Sequence, residues 1–124
     1  VAQFSHVKYA VADYRQADPA ISPLGTKRYY DEVTAADPSV QDYYRLFYAP
    51  GVSHCEGGVG AYPDALFDNM VKWVEQGIAP DTVNATSPPD SEGKTFNRPL
   101  CPYPKQQYYK GSGDITSGEN FGCK

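Results

Sequence analysis

The order of the periodic segments constrains this chain more than any other feature of its sequence. Val7-Lys8-Tyr9-Ala10-Val11-Ala12 is rich in β-branched and aromatic residues and reads as a strand. Asp13 to Gly25 reads as a loop, broken by Pro19, Pro23 and Gly25. Thr26 to about Ala35 predicts a helix, with Thr26 as N-cap and Tyr29, Tyr30 and Val33 on one side. Asp37-Pro38-Ser39 breaks it, and Tyr43-Tyr44-Arg45-Leu46-Phe47-Tyr48 predicts a second strand. A glycine-rich loop from Pro50-Gly51 to Gly60 follows. The helix after it has the clearest period in the chain. It runs from about Asp64 to Gln76, with Leu66, Phe67, Met70, Val71, Trp73 and Val74 as its apolar stripe. Asp64 is placed to cap its start and Gly77 to end it. Two strands joined through a helix make a parallel pair with a crossover connection. In open parallel sheets, functional residues gather in the loops that follow the strands. Those two loops carry Asp13 and Asp18 on one side and His54 on the other.

Beyond Ala79 the pattern changes. Pro80, Pro88, Pro89, Pro99, Pro102 and Pro104 are followed by Gly111, Gly113, Gly118 and Gly122, with no helical period. Residues 1–79 are expected to form a βαβα core, and residues 80–124 an ordered but irregular tail wrapped on it. At 124 residues the chain is the size of one ordinary domain. No apolar run approaches the ~18 residues of a membrane span, so no membrane partner is expected. A net charge of -4 argues against a nucleic-acid partner, which usually meets a basic face.

Three cysteines, Cys55, Cys101 and Cys123, leave several states open. All are free, two are paired, or one pairs outside this chain. Asn84-Ala85-Thr86 fits a glycosylation sequon in a polar, proline-rich stretch. With cysteines bracketing a Gly/Pro/Tyr-rich tail, it points toward a secreted, oxidised protein.

His54 is the leading candidate for chemistry. An imidazole in a glycine-rich loop just past a buried strand suits a general base near neutral pH, although a loop histidine is more often exposed or structural. Asp18, in Ala17-Asp18-Pro19, or Asp13 at the strand end could orient it, although Asp-Pro is also a common turn start. No serine sits in a G-x-S-x-G elbow. Ser53 and Cys55 are adjacent to His54, and neighbours in sequence rarely form a nucleophile–base pair. No C-x-x-C, H-E-x-x-H or EF-hand spacing occurs. The chain thus offers a base and an acid without a nucleophile.

Tyr48-Ala49-Pro50-Gly51-Val52-Ser53-His54-Cys55-Glu56-Gly57-Gly58-Val59-Gly60 resembles the histidine segment of the tannase and feruloyl esterase family. Trp73-Val74-Glu75-Gln76-Gly77-Ile78-Ala79-Pro80 is similar to the helix exit of that family. Arg98-Pro99-Leu100-Cys101-Pro102-Tyr103-Pro104, Tyr109-Lys110-Gly111-Ser112-Gly113-Asp114 and Asn120-Phe121-Gly122-Cys123 are similar to its C-terminal signature. Ala17-Asp18-Pro19-Ala20-Ile21-Ser22-Pro23-Leu24-Gly25-Thr26 resembles the stretch holding its catalytic acid.

The resemblance implies the C-terminal part of an α/β-hydrolase fold with a disulfide-closed tail. It implies a secreted serine esterase acting on hydroxycinnamoyl or galloyl esters. His54 would be the general base and Asp18 its orienter. Asp13 stays the alternative acid, because Tyr9 to Asp18 is more polar than the family pattern and lacks its glycine. Cys101 would pair with Cys123. Cys55 would bridge to a cysteine beside the nucleophilic serine, in an N-terminal part of the same enzyme. No cofactor is expected in this segment, the calcium common in the family belonging to a lid outside it. The chain alone is expected to be inactive. A contrasting expectation is a secreted binding module whose 11 tyrosines stack on sugars or phenolics. Another is a complete small domain with Cys55 as nucleophile.

Overall fold

The computed structural model describes residues 10–15 as backbone, together with residues 19, 22–54 and 57–124. Strand β1 (Ala10–Arg15) pairs in parallel with β2 (Tyr44–Ala49), Ala10 level with Tyr44 and Arg15 level with Ala49. Helix α1 (Pro23–Ala36) lies between them in sequence, so the strand–helix–strand unit forms. Its first strand runs on to Arg15 rather than ending at Ala12, and residues 7–9 lie outside the described residues.

The start of α1 corrects the expected Thr26 cap. Ser22 is the N-cap and Pro23 opens the helix. A first helical turn has unpaired N–H groups in any case, so a proline there loses nothing. The Gly25 N–H bonds back to the Ser22 carbonyl at 3.2 Å. Residues read as loop breakers are therefore helix starters.

Both faces of β2 are covered, as a parallel strand requires. Side chains alternate along it. Leu46 faces Tyr30 of α1 and Val40, with Tyr44, Tyr48 and Tyr103 around them. Phe47 and Ala49 face the other way, into a cluster with Val52, Ala61, Val83, Ala85 and Leu100. The strand edge away from β1 is met by the tail. Phe47 bridges Pro102, and the Tyr103 N–H donates to the Leu46 carbonyl at 2.7 Å.

Strand β3 (Tyr62–Pro63) leads into helix α2 (Leu66–Gln76). Strands β4 (Val83–Thr86) and β5 (Asn97–Leu100) then complete an antiparallel sheet of order β3-β4-β5. The last pair, β6 (Gln107–Tyr109) and β7 (Phe121–Cys123), is an antiparallel hairpin. The tail is thus less irregular than its composition suggested. Val83 and Ala85 point into the core on either side of exposed Asn84, a period-two pattern too short to stand out among prolines. Pro99 is accommodated because β5 is the edge of its sheet.

Cys101 and Cys123 are joined, with Cα atoms 5.6 Å apart, closing the hairpin onto the end of β5. Gly77 ends α2 at φ 71°, as expected. Asp64 does not cap it. The residue at that position is Ala65, while the Asp64 carboxylate accepts the Thr86 hydroxyl at 2.8 Å and so ties the helix entry to β4. Of the expected apolar stripe, Trp73 is buried and Leu66, Met70 and Val71 are half-buried. Phe67 at 78% and Val74 at 56% are exposed, as is Ile78 just beyond the helix at 58%.

Candidate active site

The His54 loop is built mainly from backbone. It leaves β2 at Pro50 and returns at Ala61, folding back so that Val52 bridges Gly58 and the Gly60 N–H donates to the Gly51 carbonyl at 2.9 Å. The two limbs touch. A Cβ on Gly60 would lie 2.1 Å from the Pro50 carbonyl oxygen, and one on Gly58 2.2 Å from that of Gly51. No side chain fits at either point, which is the physical content of the glycine-rich run. Inside this double-backed loop a smaller turn closes where the Ser53 N–H donates to the Gly57 carbonyl at 3.0 Å. His54 sits on that turn, exposed to solvent. The Tyr62 hydroxyl, reaching back from β3, donates to the same Gly57 carbonyl.

The loop stands on a buried floor. Val52 and Ala61, at its two ends, are buried in the aliphatic cluster. Arg45 locks the outer part of β2 to the segment beyond α2. Its guanidinium donates to the Pro80 carbonyl at 2.8 Å, pairs with Asp81 at 3.1 Å, and lies 5.3 Å from the centre of the Trp73 ring.

The parallel register decides where the loops carrying Asp18 and His54 start. Arg15 is level with Ala49, so the connections after β1 and after β2 leave the same end of the sheet. Asp13 lies within β1, level with Phe47. Asp18 and Cys55 lie outside the described residues. Asn84 is exposed on the central strand of the antiparallel sheet rather than on a loop, and its sequon partner Thr86 uses its hydroxyl on Asp64.

A cavity of about 420 Å³ opens beside Pro50, lined by Tyr48, Leu100, Cys101, Tyr103 and Gln107 among others, and His54 is not part of its wall. Among the described residues, no three His, Cys, Asp or Glu side chains gather as a metal site. Among the same residues, no helix is long and apolar enough to cross a membrane.

Two residues that hold the site were not singled out by the sequence. Tyr62 and Arg45 act through contacts that exist only once loop and sheet are closed. The glycine run announced a tight loop but not which side chain would reach it.

The described parts define a mixed α/β protein whose parallel pair carries a glycine-built histidine loop and whose C-terminal hairpin is closed by a disulfide. Residues 11–124 match the family model described as tannase and feruloyl esterase, and the chain belongs to that family. It is 45% identical over 109 residues to a mono(2-hydroxyethyl) terephthalate hydrolase of Piscinibacter sakaiensis, covering 86% of this chain and 18% of that protein. It is 45% identical over 114 residues to a probable feruloyl esterase of Arthroderma benhamiae, covering 86% of this chain and 21% of that protein. The crystal structure of an esterase from Aspergillus oryzae superposes with a TM-score of 0.82 at 29% identity, over 94% of this chain and 27% of that one. The chain therefore spans about a fifth of the length of these curated relatives.

Proposed function

We propose that this chain is the C-terminal segment of a longer, secreted carboxylic ester hydrolase of the α/β-hydrolase fold, acting on aromatic esters of the hydroxycinnamoyl or galloyl type. The observation that carries the reading is His54, solvent-facing on a closed turn just past a parallel strand, in a chain of this family. In the proposed reaction His54 takes the proton of a serine supplied by the preceding part of the polypeptide as that serine attacks the ester carbonyl. The imidazolium then protonates the leaving alkoxide. In the second half, His54 takes a proton from water as it attacks the acyl-enzyme, and the imidazolium returns that proton to the serine oxygen as its bond to the acyl group breaks and the acid leaves. Asp18 fixes the imidazole tautomer and stabilises its cation, with Asp13 as the alternative acid.

Cys55 would link this chain to a cysteine beside that serine, making the N-terminal part of the same enzyme its partner. The exposed Phe67 and Val74 on α2, and Ile78 just past its end, suit burial against that part. Asn84, solvent-facing, would carry the glycan of the secreted protein. A tyrosine-faced binding module is less well supported. Tyr30, Tyr44, Tyr48 and Tyr103 are already packed on one another inside the fold.

The test uses the complete polypeptide. His54→Gln should lower kcat on methyl ferulate or methyl gallate by roughly 10⁴-fold or more, with folding retained. Hydrolysis within tenfold of the parent protein would remove His54 from the chemistry. The 124-residue chain by itself should turn over neither ester. Non-reducing peptide mapping should find Cys55 joined to an upstream peptide, and a free Cys55 thiol would favour the module.

A further inference from the structure

The Gly57 carbonyl is a junction. It accepts the Ser53 N–H, which closes the turn bearing His54, and it also accepts the Tyr62 hydroxyl. Tyr62 is itself held from the other side. Its backbone pairs with Thr86 in the β3–β4 ladder, and Asp64, two residues on, bonds β4 twice, its N–H donating to the Asn84 carbonyl at 2.9 Å and its carboxylate accepting the Thr86 hydroxyl at 2.8 Å. The Tyr62 ring packs against the aliphatic cluster. One hydroxyl therefore connects the histidine turn to a three-stranded sheet.

The rest of the loop is fixed near its base, where Val52 and Ala61 are buried and Gly60 bonds Gly51. The Tyr62 contact acts nearer the tip, three residues from His54. A general base works only within hydrogen-bond reach of the proton it takes, and misplacement by about 1 Å can cost on the order of 100-fold in rate. We propose that Tyr62 is a positioning residue for His54, its hydroxyl setting the Ser53–Gly57 turn against the sheet so that the imidazole is presented in one orientation. The proposal rests on the reading of His54 as the general base.

Tyr62→Phe keeps the ring and removes only the hydroxyl. In the complete polypeptide it should lower kcat on methyl ferulate by about tenfold while leaving KM within about twofold, the signature of lost transition-state alignment rather than lost binding. Hydrogen exchange in peptides spanning residues 51–60 should accelerate, while exchange in peptides spanning residues 83–87 stays at the parent rate. Tyr62→Ala, which also removes the ring from the cluster, separates the two roles by lowering the thermal midpoint as well. A Tyr62→Phe protein with parental kcat and parental exchange in the loop overturns the proposal. So does faster exchange spread equally over both peptides, which would make the hydroxyl a general stabiliser. His54→Gln, assayed alongside, reports on the underlying reading by itself. If that variant keeps full activity, the esterase role of His54 fails whatever Tyr62 does.

Discussion

The two faces of β2 are held by different physics. On one, Phe47 and Ala49 meet Val52, Val83, Ala85 and Leu100 in a buried, mainly aliphatic cluster. Its specificity is one of volume, because apolar contacts carry no direction. On the other, Tyr30, Tyr44, Tyr48 and Tyr103 meet edge to face around Leu46 and Val40. There the hydroxyls set direction. The Tyr30 hydroxyl, pushed up to about 12 by burial and so protonated at neutral pH, donates to the Tyr44 carbonyl at 2.9 Å. The Tyr103 hydroxyl donates to Asp31 on α1 at 2.9 Å. The tyrosine surplus thus serves partly to join helix, strand and tail. The aliphatic face carries the ends of the His54 loop together with Val83, Ala85 and Leu100 of the tail, and the aromatic face ties the tail to α1 through Tyr103.

The difference predicts that truncation on the aliphatic face costs most. Phe47→Ala should destabilise the complete polypeptide by about 4 kcal/mol, since a wholly buried ring leaves a cavity its neighbours cannot fill. Denaturant unfolding reads this directly. A loss below about 1 kcal/mol would mean that the cluster collapses freely around the gap, and the contrast between the faces would fall.

The same contrast explains what was legible in the sequence. The second strand of the parallel pair was readable because Tyr43–Tyr48 is a run of bulky residues, and α2 because its apolar spacing is helical. The αL end at Gly77 follows from the residue itself. By contrast, the β3–β4–β5 sheet hid in short segments such as Val83-Asn84-Ala85, where prolines nearby suggested irregular chain. Asp64 looked like a cap because its competing partner Thr86 is 22 positions away. His54 stood out through its glycine setting. Tyr62 could not, because its role depends on a loop closure that no local pattern encodes.

The disulfide sits where the tail passes from one face to the other. Leu100 enters the aliphatic cluster, Tyr103 the aromatic one, and Cys101 lies between them. Cys101→Ser should cost about 3 kcal/mol, the value expected for a closed loop of this length. Exchange in peptides spanning residues 101–109 should rise more than in residues 83–87, because β4 is paired on both sides. Equal acceleration would show that the disulfide braces the two faces alike.

Tyr103→Phe is the smallest and most selective perturbation, since the ring stays and one directional bond goes. Asp31 accepts first from Lys27 at 2.6 Å and second from Tyr103, and both bonds hold its carboxyl below the ordinary carboxylate range. A carboxyl with a depressed folded-state pKa contributes stability that is fully present above its unfolded-state value, near 3.9, and is lost as pH falls through the folded-state value. Removing the Tyr103 hydroxyl lets the folded-state pKa rise toward normal. The difference in thermal midpoint between parent and Tyr103→Phe should therefore be constant above about pH 5 and shrink as the pH falls below 4. Lys27 still pairs with Asp31 in the variant, so part of the depression survives there. A Lys27→Met background should remove it and leave the Tyr103 contribution alone on Asp31. A difference that stays constant down to pH 2 would assign the Tyr103 effect to ring packing, and the aromatic face would then be held by volume just as the aliphatic one is.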